Sequence, residues 1–204
     1  CAGVHPRMCL PITLDIGTNN RVLREDPLYP GLLYPRLTGE DYDSFFDEFM
    51  MAVRCRFPKA LIQLEDFANH HAFELLERYR QTDCLFDDDI QGTGSVVLAG
   101  LLATERISGR PLKEHRFLFF GAGEAAIGIC AQIIASLVHD GMDEADARAR
   151  CWLFDSHGLV VQSRDDLAFF KRPFAQDHPP VDSLENAVRT LKPTALIGAC
   201  GKPE

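Results

Sequence analysis

FLFFGAGEAAIG, residues 117–128, runs from an apolar segment into a glycine turn and out into small apolar residues. Phe117-Leu118-Phe119-Phe120, preceded by Arg116, is unbroken by polar residues, as in a strand buried on both faces. Gly121, Gly123 and Ala126 follow at the spacing G-x-G-x-x-A. The first glycine permits a tight turn, and the second lets backbone N–H groups approach a pyrophosphate. The small third residue lets a helix close against the strand. The helix N-terminus adds partial positive charge at the same point. The spacing predicts a strand, a turn and a helix reaching about Val138. Gly121, Ala122, Gly123, Glu124, Ala125 and Ala126 would then cradle a dinucleotide. A tight turn with no ligand is the other reading of these residues.

Downstream, Cys151-Trp152-Leu153-Phe154-Asp155 reads as the next strand. Asp155 ends it, placed to bind a ribose hydroxyl. It lies further on than the usual ~20 residues, and a short polar helix at 143–149 accounts for the excess. Asp155 alone favours NAD, because it repels a 2′-phosphate. Ser156 could donate to such a phosphate, and Arg164, Lys171 and Arg172 could supply charge. Those cations read equally well as a solvated loop within a charged, Pro-bearing region at 161–180. A helix at 183–191 and a strand at 194–198 follow.

Upstream, Cys9 to Asp15 reads as a short strand and Ile16 to Asn20 as a loop. Thr38-Gly39-Glu40-Asp41 opens an amphipathic helix to about Arg56, with Tyr42, Phe45, Phe46, Phe49, Met50 and Val53 at helical spacing. Pro58 stops it. Ala60 to Leu64 is a buried-type strand ending at Glu65-Asp66. A helix at 69–80 follows, then the apolar run Cys84-Leu85-Phe86, then a helix from about Ser95 to Ile107. Strands alternating with helices indicate an α/β architecture with mainly parallel sheets and a Rossmann-type nucleotide-binding domain. The expected division is 1–87, part of an α/β substrate and metal domain, and 88–204, the nucleotide-binding domain.

The charge balance narrows the partners. Net charge is −9 over 204 residues. Phosphate contacts need clustered Lys and Arg, so a broad nucleic-acid face is not expected. No apolar run approaches the ~20 residues of a membrane span. The first residues, Cys1-Ala2-Gly3, lack a Met and a targeting pattern, and read as a processed or truncated start. The seven cysteines include no CxxC pair and read as reduced, intracellular core or bystander residues.

FDDDIQGTGS, residues 86–95, sets three aspartates side by side. Adjacent anions repel, and near a core the cost rises. Glu65-Asp66 sits at a predicted strand end, where ligands bind in α/β sheets. Hard oxygen ligands of this kind suit Mg²⁺ or Mn²⁺, and a dication would offset the repulsion. Spacing alone leaves a solvated acidic loop open. An EF-hand is excluded, since its twelfth position from Asp87 is Leu98 rather than Glu. His70-His71 reads as structural or surface. Ser95 and Ser156 lack a nucleophile elbow, and Gly201-Lys202-Pro203 is not a P-loop.

Together these segments resemble the malic enzyme family. LPITLDIGTNN (10–20), DPLYPGL (26–32), FDEFMMAV (46–53), LIQLEDFAN (61–69), FDDDIQGTGSVVLAGLLA (86–103), FFGAGEAAIGI (119–129), WLFDSHGLV (152–160) and KPTALIGA (192–199) carry the resemblance in order. It implies oxidative decarboxylation of L-malate to pyruvate and CO₂ with reduction of NAD(P). It implies Glu65, Asp66 and Asp89 as ligands of Mg²⁺ or Mn²⁺, with Asp88 auxiliary beside a catalytic lysine. Asp87 departs from the family's usual Asn and reads as a solvated spare. Ser156 and the KRP at 171–173 resemble the NADP-dependent branch, with Arg172 as the 2′-phosphate cation. The family's general-base Lys and general-acid Tyr lie upstream of CAGVHP, so the resemblance implies an inactive central fragment of a cytoplasmic or mitochondrial dimer or tetramer. The competing reading is a non-catalytic nucleotide- and metal-binding module.

Overall fold

Phe117–Phe120 (β3) and its neighbours organise the larger part of the molecule in the computed structural model, which describes residues 3–201. Cys1 and Lys202-Pro203, discussed above, lie outside the described residues. The chain separates into two compact units, residues 1–60 and 61–204.

The first unit is mostly irregular. A single 3-10 turn at Pro6–Met8 precedes the short helix α1, Arg21–Glu25, which Asn20 caps by accepting from Val22 and Leu23. The strand expected at Cys9–Asp15 is absent. Among the described residues no neighbour offers it a ladder, and Leu10 and Ile12 stay exposed. Asp15 organises the segment instead. Its carboxylate accepts from the Gly17 amide at 2.9 Å and the Leu32 amide at 2.7 Å, joining the LDIG and PGL stretches. Helix α2, Glu40–Arg56, matches the predicted span, with Tyr42, Phe46 and Met50 buried on one face.

The second unit holds two sheets. Ile62–Leu64 (β1) and Leu85–Asp87 (β2) form a parallel pair, with Asn69–Tyr79 (α3) between them in the chain. The residues after β2 do not enter an α-helix directly. Asp88–Gly92 form a π-turn, and Thr93–Ser108 (α4) continues from it. The four-stranded sheet has the order β5-β4-β3-β6. Here β4 is Cys151–Asp155, β5 Gly158–Leu159 and β6 Ala195–Gly198. β3 pairs parallel with β4 and β6, while β5 returns antiparallel on the edge.

Alternation along β3 explains how both faces are covered. Phe117 and Phe119 pack with Ile127, Cys130 and Ile133 of α5, Glu124–His139. Leu118 faces the other way, onto Ala187 and Leu191 of α7, Leu184–Leu191. Removing the fully buried Ile133 side chain to Ala is expected to cost about 3 kcal/mol. The polar helix predicted at 143–149 is present as α6, Glu144–Arg148, capped by Asp143. Cys130 and Cys151 are buried thiols in this core. Burial, with a hydrogen bond between the two, pushes the Cys130 thiol well above its usual value. The strands, helices and parallel pairing give the expected α/β class with a Rossmann-like nucleotide domain.

Candidate functional site

Strand register brings the first set of residues together. β1 and β2 run parallel with Leu64 opposite Asp87. Both strands therefore end at one edge, and the residues immediately after them meet there. Glu65, Asp66 and Asp89 each offer a carboxylate oxygen, all within 4.8 Å of one another. The Asp66 amide donates to Asp89 Oδ2 at 3.0 Å, crossing the gap between the strand ends. To do so Asp66 adopts φ 60°, a left-handed conformation that costs a non-glycine residue about 1 kcal/mol.

Asp87 is not the solvated spare that the sequence suggests. It is 1% exposed, the last residue of β2, where alternation turns it inward. It caps the π-turn: Oδ1 accepts from the Ile90 amide at 2.9 Å, and its own amide donates to Gln91 Oε1 at 3.0 Å. Oδ2 is buried with no hydrogen-bond partner among the described residues. Burial, then the charges of Asp89 and Asp88, hold its carboxyl above the usual range. An N-cap aspartate before a helix was the available sequence signal.

Negative charge accumulates around this edge. Loss of water raises the Glu65 carboxyl, followed by its hydrogen bond to Asp88 and the charges of Asp89 and Asp88. Glu124, the first residue of α5, is pushed up to about 7 by burial and then by Asp89 and Asp87. A helix N-terminus ordinarily favours the ionised form, so burial, aided by the acidic neighbours, outweighs the dipole. Among the described residues, no Lys or Arg forms an ion pair with Glu65, Asp66, Asp87, Asp88 or Asp89. The donor set is all hard oxygen, and the charge it leaves uncompensated suits Mg²⁺ or Mn²⁺. His70 and His71 stand near the start of α3 with ring centroids 3.9 Å apart, side by side rather than split to opposite sides.

The second set lies at the ends of β3 and β4. Gly121 adopts φ 122°, and a Cβ there would stand 2.2 Å from the Ala199 carbonyl oxygen, so only glycine fits the turn. Gly123 is the N-cap of α5 and makes no side-chain cap, which leaves the first amides of the helix to an outside acceptor. Ala126, fully buried, packs the helix onto the sheet. Gly121 also bridges to Phe154, which sets Asp155 beside the turn.

Asp155 is enclosed. It accepts from Arg164 at 2.9 and 3.3 Å, from Lys171 Nζ at 2.6 Å and from the His157 amide at 2.9 Å. Burial opposes ionisation, but the hydrogen bonds from Arg164 and Lys171 prevail and hold the carboxyl below its usual value. Arg164 also donates to Asp166 at 2.8 Å, and His157 Nδ1 meets Asp166 at 2.5 Å. Two of the loop cations thus answer Asp155 directly. Ser156 is exposed in the adjoining turn. Arg172 is exposed as well, with Nε donating to the Leu167 carbonyl at 3.3 Å; among the described residues it has no acidic partner.

Comparison with known proteins gives one consistent result. Residues 90–204 match the family model described as malic enzyme, NAD binding domain, and residues 1–80 match malic enzyme, N-terminal domain. The chain is 52% identical over 199 residues to the mitochondrial NADP-dependent malic enzymes of mouse and human, covering 97% of this chain and 33% of each of those proteins. It is 51% identical to NADP-dependent malic enzyme 1 of Arabidopsis thaliana, covering 98% of this chain and 35% of that protein. The chain thus spans about a third of the length of the curated relatives it matches. Among solved structures, the Entamoeba histolytica malic enzyme superposes with a TM-score of 0.64 at 25% identity, covering 79% of this chain and 32% of that one. The Thermotoga maritima NAD-dependent malic enzyme, at 19% identity and a TM-score of 0.61, shares the fold; the match covers 82% of this chain and 42% of that one.

Proposed function

The chain belongs to the malic enzyme family, and we propose that its protein oxidatively decarboxylates L-malate to pyruvate and CO₂ with NADP as acceptor. One observation supports this best: a single parallel register gathers Glu65, Asp66 and Asp89 in the unit that also carries the dinucleotide turn. Those three residues would hold Mg²⁺ or Mn²⁺. When bound, the cation would supply Lewis acidity to the hydroxyl and carboxylate oxygens of the substrate.

The chain's own residues do the rest of what these 204 positions contribute. The amides after Gly123 receive the pyrophosphate, and Asp155 receives the ribose hydroxyls. Asp88, hydrogen-bonded to Glu65, stands at the edge of the site and would lie beside the family's catalytic lysine. The division 1–87 and 88–204 leaves Glu65 and Asp66 in the first part and puts Asp89 with the nucleotide fold. Base and acid are the family's Lys and Tyr, outside these positions, so the 204 residues alone turn over no malate. We place the whole protein as a dimer or tetramer, in cytoplasm or mitochondrion, the latter named in two relatives.

The NADP reading rests on Ser156, Lys171 and Arg172 around Asp155. A 2′-phosphate arriving there would share Lys171 and Arg164 with the carboxylate, with Arg172 and Ser156 at its open side. The test is steady-state kinetics of the full-length protein with Mn²⁺. Malate-dependent NADPH formation that disappears in Asp89→Ala is expected. Full activity of Asp89→Ala, or turnover by the 204 residues alone, overturns the reading. For the cofactor, Arg172→Ala should raise the KM for NADP far more than that for NAD; equal changes remove that cation from the site.

A further inference from the structure

At Gly128 the backbone of helix α5 comes directly against the backbone of the π-turn. A Cβ added at Gly128 would lie 2.0 Å from the Ile90 carbonyl oxygen, 2.7 Å from its carbon and 3.0 Å from its Cα. On the neighbouring side, a Cβ at Gly94 would lie 2.7 Å from the Gly128 carbonyl oxygen. No side chain stands between Gly128 and the Ile90 carbonyl. The atoms in the way at Gly128 are main-chain atoms, which cannot swing aside as a side-chain tip can.

The two partners are not equally firm. Helix α5 is fixed by Ala126, Ile127, Cys130 and Ile133, all 3% exposed or less, against the central sheet. The turn has one buried side chain, Ile90, and is otherwise held by hydrogen bonds: the two at Asp87, one from the Asp66 amide to Asp89 and one from Ser95 Oγ to the Gln91 carbonyl. If the contact is overfilled, the turn yields first. Asp89 is the residue before Ile90, so a displaced Ile90 carbonyl carries Asp89 with it, away from Glu65 and Asp66. Along α5 the same contact lies within two turns of Gly123.

We propose that Gly128 is a positioning residue for the cation site: it seats the dinucleotide-binding helix on the Ile90 carbonyl and thereby fixes Asp89 against Glu65 and Asp66. The inference rests on the reading of those three carboxylates as a divalent-cation site. Its consequence is a link between the two ligands. A dinucleotide that firms the start of α5 also firms the turn that carries Asp89, and the effect is reciprocal.

The test uses the full-length protein and Mn²⁺, followed by electron paramagnetic resonance of the free ion well below the melting temperature. Gly128→Ala is expected to weaken Mn²⁺ binding about ten- to hundredfold, the usual range for disturbing a group that orients a ligand. Gly100→Ala is the control, since a Cβ there meets nothing within 4 Å; it should stay within about twofold of the parent. Equal Mn²⁺ affinity in the parent and Gly128→Ala overturns the inference while leaving the site intact. Failure of the parent itself to bind Mn²⁺ overturns the reading of the site. If Gly128→Ala does not fold, amide exchange in the parent decides. Added NADP should slow exchange at residues 88–92, and unchanged exchange there in a chain that binds NADP overturns the link.

Discussion

Two groups of carboxylates lie at the C-terminal ends of parallel strands in the same unit, and they are finished in opposite ways. At the ends of β1 and β2, Glu65, Asp66, Asp87, Asp88 and Asp89 have no basic partner among the described residues, and burial and mutual repulsion raise Glu65, Asp87 and Glu124. At the end of β4, Asp155 and Asp166 are answered by Arg164 and Lys171, and both acids are held below their usual range. On the proposed function, the first cluster would be completed by a cation from outside. The second is complete from within, so a ligand there exchanges partners instead of adding charge to an empty field.

The largest expected effect breaks the first cluster. Asp89→Ala removes a ligand and the acceptor of the Asp66 amide together. Mn²⁺ affinity, read by titration of the 204 residues, should fall more than about a hundredfold, beyond the range for outer-shell changes. Retained affinity would move the site elsewhere. The second cluster should break through stability. Asp155→Ala strands Lys171 and leaves Arg164 with Asp166 as its only acidic partner; the two basic side chains are only 20% and 11% exposed. Removing one partner of such a buried pair costs about 3 kcal/mol, visible as a lowered denaturation midpoint. No change in midpoint would mean that the enclosure is ornamental.

A smaller effect sharpens the contrast. Lys171→Ala frees half of the Asp155 enclosure and removes a donor to a 2′-phosphate. NADP should bind about tenfold more weakly, the worth of one charge-assisted hydrogen bond, while NAD changes little. Isothermal titration with both dinucleotides checks this, and parallel losses would break it. The smallest effect concerns pH. The Glu124 carboxyl is raised to about 7, so the folded chain keeps a proton that the unfolded chain releases near its ordinary value. Stability of the cation-free chain therefore falls as pH rises through that window. Glu124→Gln should raise the melting temperature at pH 8 and leave it unchanged at pH 4. An equal shift at both values would trace the effect to packing.

The contrast also shows what could be read from sequence. α2, α3, α4 and α5 were legible because each repeats its apolar residues at helical spacing over several turns, and β3 because a continuous apolar run met a glycine turn. β5 was missed, since two residues carry no periodicity. The strand expected at Cys9–Asp15 failed because composition alone does not supply a pairing partner. The metal candidates were found residue by residue, but their meeting depends on the Leu64–Asp87 register, which no local pattern encodes. Asp87 was misjudged because three adjacent aspartates look equivalent on paper. Strand alternation and a π-turn then send Asp87 inward and leave Asp88 and Asp89 half-buried. The enclosure of Asp155 joins residues 9 and 16 positions apart, beyond any local spacing rule.

The left-handed backbone at Asp66 has a practical consequence. Its N–H points at Asp89 Oδ2, an oxygen of a proposed cation ligand. The amide is therefore a native spectroscopic probe. In a ¹⁵N–¹H correlation spectrum, a diamagnetic Mg²⁺ that engages Asp89 would draw electron density from that acceptor and shift the Asp66 cross-peak. Paramagnetic Mn²⁺ would broaden the same peak. Occupancy of the site becomes readable one residue at a time, without substrate and without turnover.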